Sequence, residues 1–282
     1  MEEPRMEGKV AIVTGASRGI GAAIAARFAA AGAAVVVTAR TVDEGDHMLP
    51  GSLSATARAI EDEGGTALTV VADLSQPVDR ERVVATALDV FGTVDVLVNN
   101  AAVTYFEPVE AVTDRHFDLM FEVQVRAPFD LARRVLPAMR ERGQGWILNI
   151  SSGAARHPPG PPYGGWGGGT VYGMCKAALE RFTTGLASEV YSDRIAVNVL
   201  SPSGLVVTPG VVLHGLDKRT PVSAQEPVED MAEAAYLLCT GDPGTLTGRV
   251  TYTRRIFREF GLEEFGLEES GLDEMGDVSP SE

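Results

Sequence analysis

The sequence predicts a doubly wound α/β fold: one parallel sheet with helices on both faces, in a single domain. Three observations predict it. Short runs rich in β-branched residues alternate with longer Ala-rich stretches of helical period, the pattern of repeated βαβ units. The runs are continuously apolar, as strands buried on both faces must be. The first run passes directly into a glycine-rich turn and a helix.

Along the chain the runs are VAIVT, AVVVT, ALTVV, VDVLV, GWILNI and IAVNVL, in a sheet expected to hold about seven strands. The first leads into Thr14-Gly15-Ala16-Ser17-Arg18-Gly19-Ile20-Gly21 and a helix expected over 22–31. Gly15 permits the tight turn, Gly19 lets a pyrophosphate approach the backbone, and Gly21 allows close packing of helix on strand. The second run ends Val37-Thr38-Ala39-Arg40, with no acid to hold a ribose 2′-hydroxyl. Arg40 offers a fork of donors to a 2′-phosphate, and Arg18 stands close enough in sequence to join it. Asp43, the nearest acid, lies further along the loop. The expected cofactor is therefore NADP, with NAD as the alternative.

Three segments stand outside the alternation: 43–53, the Pro/Gly-rich 157–169, and 208–227. Each follows a strand, where ligands of such sheets bind, so these are expected to wall a substrate pocket. Leu205, Val211, Val212, Leu213 and Trp166 make a small hydrophobic substrate the expectation. The fifth run ends at Ser152, and Tyr172 and Lys176 follow in Tyr172-Gly173-Met174-Cys175-Lys176. A spacing of four puts the phenol and the ammonium on one helical face. A free phenol has a pKa near ~10, and an adjacent ammonium is expected to lower it. The pair then has the means to shuttle a proton. Cys175 points off that face and reads as a packing residue.

The chain resembles the short-chain dehydrogenase/reductase family over roughly residues 7–255, a Rossmann-like fold. The likeness rests on TGASRGIG, on Asn99-Asn100-Ala101-Ala102, on Ser152, and on Tyr172 with Lys176. Asp73 and Leu74 in VADLS match the family's adenine contact, and Asn198-Val199-Leu200-Ser201-Pro202 matches its lead into the nicotinamide loop, here Gly204, Val206 and Thr208. The resemblance implies a carbonyl/alcohol oxidoreductase. Tyr172 is then the proton donor, Lys176 binds the nicotinamide ribose and tunes Tyr172, and Ser152 holds the substrate carbonyl. It places the cofactor on Gly15, Ser17, Arg18, Gly19, Ile20, Gly21, Arg40, Asp73, Leu74, Asn100, Ala101, Tyr172, Lys176, Gly204, Val206 and Thr208. Asn99 is a structural and cofactor-site residue in the same pattern. It also implies a homo-oligomer, tetramer or dimer, paired through the helices bearing Gln124 and Tyr172. A non-catalytic NADP-binding sensor or scaffold with the same fold is the alternative.

Three departures mark the substrate side. Gln124 stands where the family has the Asn of its proton relay. Ser152 and Tyr172 are twenty apart, several residues more than the pattern, and the excess is the 157–169 segment. Ser203 follows Pro202 where glycine is usual, with Gly204 one place late.

Composition excludes other classes. Net charge is −15, of which residues 259–282 carry nine acids and no base, leaving 30 acids against 24 bases in 1–258. No basic stripe is available for nucleic acid. The domain is expected to be 1–258, followed by an acidic, mobile tail in which FGLEE, FGLEE and SGLDE place Leu262, Leu267 and Leu272 five apart, on no common helical stripe. No apolar run approaches the ~20 residues of a membrane span, and no secretory pattern opens the chain, so a cytoplasmic protein is expected. Two cysteines and the scattered His116, His157 and His214 give no disulfide framework or metal site.

Overall fold

The computed structural model describes residues 6–163 and 168–262. In chain order the elements are β1 (Val10–Thr14), α1 (Gly19–Ala30), β2 (Ala34–Ala39), α2 (Leu53–Asp62), β3 (Thr66–Val71), α3 (Pro77–Phe91), β4 (Val96–Asn99), α4 (Asp114–Phe121), α5 (Ala127–Arg142) and β5 (Gly145–Ile150). There follow α6 (Thr170–Glu189), β6 (Ile195–Ser201), β7 (Leu205–Val206), α7 (Pro209–Leu213), β8 (Gln225–Glu226), α8 (Val228–Thr240), β9 (Val250–Tyr252) and α9 (Thr253–Glu259).

Seven strands form one parallel sheet in the order β3-β2-β1-β4-β5-β6-β9. The expected fold class is therefore the observed one. The six apolar runs are its first six strands, and the seventh is β9, whose three residues are too short to carry a sequence signal. β7 and β8 pair separately as a two-stranded parallel ribbon.

Continuous apolarity follows from the two packed faces. Ala11, Val13, Val35 and Val37 point into one core, with α1 and α8, while Val10, Ile12 and Val36 point into the other, with α3 and α5. With side chains alternating by residue, both sets must be apolar. At about 0.8 kcal/mol per buried CH2, these faces supply the main driving force for folding.

The strand order reverses between β1 and β4, which opens a crevice at their carboxyl ends. A ladder of buried amides stiffens the floor there: Asn99 Nδ2 donates to Asn149 Oδ1 at 2.8 Å, and Asn149 Nδ2 to Thr183 Oγ1 at 2.8 Å. The three segments outside the alternation all leave strand ends on this side. Ser52 caps α2 by accepting from the Ala55 amide at 3.1 Å, closing the first of them.

Packing continues past the expected boundary at 258. α9 runs to Glu259, and Leu262 packs on the core beside it. The rest of the acidic tail, with Leu267 and Leu272, and Trp166 in the 157–169 segment lie outside the described residues.

Candidate active site

The glycine turn is shaped by the side chains it lacks. Gly15 has φ +66°, and a Cβ there would lie 2.8 Å from Ala101 Cα. At Gly21 a Cβ would meet Gly15 O and Asn100 Nδ2, each at 2.4 Å, so the tight contact is with the turn and the segment after β4 rather than with a strand. Asn100 Nδ2 donates to Thr14 O at 2.9 Å, and the Asn100 and Ala101 amides donate to Thr14 Oγ1 at 2.9 and 3.1 Å. This segment pins the turn from across the crevice. The helix begins at Gly19, three residues before the expected 22, so Gly19 to Gly21 form its first turn, whose amides have no carbonyl partner within the helix. Ser17 is buried in the turn and Ile20 packs on the core.

Beyond β2, positive charge gathers. Arg18 donates to Gly51 O at 2.7 Å and Thr41 Oγ1 at 3.1 Å, and lies 3.4 Å from His47 Nδ1. It thereby ties the 43–53 loop to the turn, a role the sequence did not indicate. Burial and the nearby Arg18 and Arg40 guanidinium groups hold the His47 imidazole below its ordinary pKa. Glu44, within the same loop, partly offsets the charge on Arg18. Asp43 is spent elsewhere, accepting from Ser54 Oγ at 2.7 Å. His47 is the residue that spacing missed; only its place in the loop after Arg40 pointed to it. Asp73 Oδ1 accepts from the Ser75 amide and hydroxyl at 3.0 and 2.8 Å, fixing the loop after β3, beside buried Leu74.

Ser152 ends the segment after β5 and accepts from the Ala154 amide at 3.2 Å. Tyr172, on the first turn of α6, lies near Ser152, whose hydroxyl draws its phenol pKa down. Lys176, one turn on, is buried and donates to Ile150 O at 2.9 Å, with Nζ 5.6 Å from the Tyr172 ring centroid. The three expected groups therefore meet. The expected electrostatics differ: burial pushes the Tyr172 phenol up, against the pull of the Ser152 hydroxyl. Lys176 does not reverse this, because its ammonium is turned to the β5 carbonyl and burial brings its own pKa down to about 8. Cys175 is buried against Met120 and Val171, and burial raises its thiol to about 11, so it is an unreactive packing group.

Gln124 lies in a π-helical stretch, Glu122–Arg126, between α4 and α5. It is buried, and its Nε2 donates to Val103 O at 2.9 Å, while Oε1 is buried and accepts nothing from the described residues. The longer side chain is thus anchored on the loop after β4. Gly204 rests against Ala224 O, which a Cβ would approach to 2.8 Å; this explains why the glycine stands at 204 rather than 203. Thr208 caps α7 through the Val211 amide at 3.3 Å, and its methyl would lie 3.0 Å from a Cβ at Gly19, so the loop after β6 closes over the glycine turn.

No sequence pattern marks the roof over Tyr172. Phe106 meets the Tyr172 ring edge-on at 5.8 Å and the His214 ring at 4.9 Å. Gly168, at φ +92°, sits against the Phe106 backbone, so the Pro/Gly segment closes onto the same residue. These contacts join residues more than forty apart in sequence, beyond any spacing rule. Among the described residues, no group of three or more His, Cys, Asp or Glu is placed to hold a metal ion, and no helix is long and apolar enough to cross a membrane.

A family profile for short chain dehydrogenases matches residues 9–213. An uncharacterized oxidoreductase of Methylorubrum extorquens is 37% identical over 255 residues, covering 87% of this chain and 96% of its own. A metagenomic short-chain oxidoreductase solved with NADP superposes with a TM-score of 0.71 at 31% identity, covering 88% of this chain and 98% of its own. L-Sorbose reductase of Gluconobacter frateurii, solved with NADPH and L-sorbose, gives 0.76 at 32% identity over 89% of this chain and 96% of its own. The chain belongs to the short-chain dehydrogenase/reductase family of oxidoreductases.

Proposed function

We propose that the protein is an NADP-dependent oxidoreductase that interconverts a ketone or aldehyde and the corresponding alcohol. The observation that carries this reading is Tyr172, with the buried Lys176 one helical turn away and its Nζ 5.6 Å from the Tyr172 ring centroid, on the crevice that the glycine turn opens. The residues fit the cofactor. The turn at Gly15, Gly19 and Gly21 leaves backbone amides uncovered where a pyrophosphate would lie, and Arg40, Arg18 and His47 gather where its 2′-phosphate would lie. Neighbours solved with NADP and NADPH support the same cofactor. Ser17 and Ile20 complete the turn, Asp73 and Leu74 would face the adenine, and Asn100 with Ala101 holds the turn's far wall. Gly204, Val206 and Thr208 would border the nicotinamide.

When bound, NADPH supplies the hydride. Ser152 then donates a hydrogen bond to the substrate carbonyl oxygen, and Tyr172 passes its proton to that oxygen as charge develops there. With its pKa raised by burial, Tyr172 arrives protonated, as a reductase requires. Lys176 lies one turn away to offset the phenolate left behind and to meet the nicotinamide ribose. Gln124, through Val103, fixes the loop that carries Phe106 above Tyr172.

Phe106 and the apolar side chains of α7 favour a small hydrophobic substrate. A second copy of the chain is the partner that best fits the exposed face between α5 and α6, where Phe129 is 43% exposed and an apolar groove of about 470 Å³ runs between Phe121, Val125, Leu179 and Phe182. Incubating the protein with NADPH and a panel of ketones and aldehydes, L-sorbose included, tests the reading by loss of absorbance at the nicotinamide band. Turnover of at least one is expected. No turnover with any carbonyl of the panel, nor with the corresponding alcohols and NADP, would overturn it.

A further inference from the structure

Resting on the NADP reading above, we infer that Glu226 is a positioning residue that holds the nicotinamide loop in its binding conformation. Glu226 is 4% exposed, and it lies on neither the glycine turn nor the Ser152, Tyr172 and Lys176 cluster. Its Oε2 accepts from the Gly204 amide at 2.8 Å. Its two oxygens lie 3.1 and 3.0 Å from Thr253 Oγ1, at the start of α9.

Ser203 completes the knot. Its amide donates to Thr253 Oγ1 at 3.1 Å, and its Oγ lies 3.0 Å from Thr253 Oγ1 and accepts from the Arg254 amide at 3.1 Å. Thr253 has one hydroxyl proton, so it donates either to Ser203 Oγ or to Glu226, and the carboxylate is the stronger acceptor. The serine that departs from the family pattern thus serves as a remote cap for α9, and the carboxylate binds that cap to the loop. The effect reaches the cofactor crevice through a short path. β7 pairs with β8 so that Val206 lies opposite Glu226, Gly204 rests on Ala224, and two residues beyond Val206 the Thr208 methyl covers Gly19. A change at Glu226 therefore moves the loop over the nicotinamide end of the crevice and leaves the Arg18 and Arg40 end, on the far side of β1, untouched.

That separation provides the test. Dissociation constants are measured for NADPH and for adenosine 2′,5′-bisphosphate, which keeps the adenine and 2′-phosphate but has no nicotinamide. Glu226→Leu removes the acceptor for Gly204 and keeps the site filled. It is expected to weaken NADPH about tenfold, the scale of one lost charge-assisted hydrogen bond, and to leave the bisphosphate within about twofold. Glu226→Gln keeps a carbonyl oxygen for the Gly204 amide and is expected to restore NADPH binding to within about threefold of wild type. In parallel, amide hydrogen exchange without ligand is expected to quicken over 203–208 in Glu226→Leu and to stay unchanged over 10–14.

Equal weakening of both ligands, or exchange that quickens throughout the sheet, would reduce Glu226 to a general structural role and overturn the inference. Wild-type affinity for both ligands in Glu226→Leu would overturn it as well. A wild type that binds neither ligand would instead remove the NADP reading on which it rests, a result distinct from these. Should Glu226→Leu fail to fold, Thr253→Val against Thr253→Ser makes the same comparison: the valine is expected to weaken NADPH alone, and the serine to behave as wild type.

Discussion

The two walls of the crevice are built by opposite means. On the cofactor wall, shape comes from absent side chains and local backbone: Gly15, Gly19 and Gly21 within seven residues, pinned by Asn100 and Ala101. On the proposed substrate wall, shape comes from large side chains that meet across long sequence separations, as Phe106 does with His214 and Tyr172. The first construction tolerates almost no change, since a Cβ at Gly21 would strike backbone at 2.4 Å. The second is a set of ring contacts worth about 1 kcal/mol each, which can be rearranged without loss of the fold. One wall is suited to a fixed ligand and the other to a variable one.

The largest effect is expected where the walls meet. Tyr172→Phe removes the proposed proton donor and no dinucleotide contact except the hydroxyl, so kcat should fall by at least ~100-fold while NADPH affinity stays within a few fold. Retention of more than a few per cent of turnover would take the proton from Tyr172 and break the division of labour between the walls. Arg40→Asp comes next. A carboxylate repels the 2′-phosphate and can accept from a ribose hydroxyl, so the ratio of kcat/KM for NADPH to that for NADH should fall by about tenfold or more. An unchanged ratio would assign the 2′-phosphate to Arg18 and His47 alone.

The same contrast decides what was legible in the sequence. The sheet, the glycine turn and the pairing of Tyr172 with Lys176 are set by neighbours a few residues apart, within strand and helix periods, whereas Ser152, twenty residues from Tyr172, joins them through the family resemblance. β9 escaped because three residues carry no periodicity, and β7 with β8 because a two-residue ribbon exists only through its partner. The second task of Arg18 has no sequence signal: its guanidinium also holds Thr41 and Gly51, contacts that depend on how the 43–53 loop folds back. The expected depression of the Tyr172 pKa failed for a related reason. Spacing set the phenol and ammonium on one face, but only the tertiary structure shows that Lys176 turns to Ile150 O. Phe106 has no local rule that links it to the site, and His47 has only its place in the loop after Arg40.

A smaller effect is expected on the substrate wall itself. Phe106→Ala opens the space between Tyr172 and His214, so kcat/KM for a bulky aryl ketone relative to a small aliphatic ketone should rise about tenfold, with NADPH affinity within twofold. A fall in NADPH affinity equal to the change in substrate preference would show that the two walls are not separable.

Glu226 joins the walls, and its titration gives the smallest and most exacting prediction. Burial pushes its carboxyl up to about 7, aided by Asp230 on α8, whose own charge faces Arg254 on α9, and opposed by the Gly204 and Ser203 amides and Thr253. The folded protein therefore holds this proton up to higher pH than the unfolded chain, which releases it near 4.5. Stability from the protonated carboxyl is complete below that pH and is lost as pH rises through about 7. Glu226→Gln is neutral throughout. Whatever constant cost its amide nitrogen incurs opposite Thr253, the variant should gain on wild type between pH 5 and pH 8 by about 2 kcal/mol, or about 5 °C in Tm. Thermal unfolding at the two pH values measures the difference of differences, in which the constant cost cancels. A wild type that keeps pace with the variant at pH 8 would mean that the donors around Glu226 outweigh its burial. The carboxylate would then hold the loop without any loss of stability to the fold.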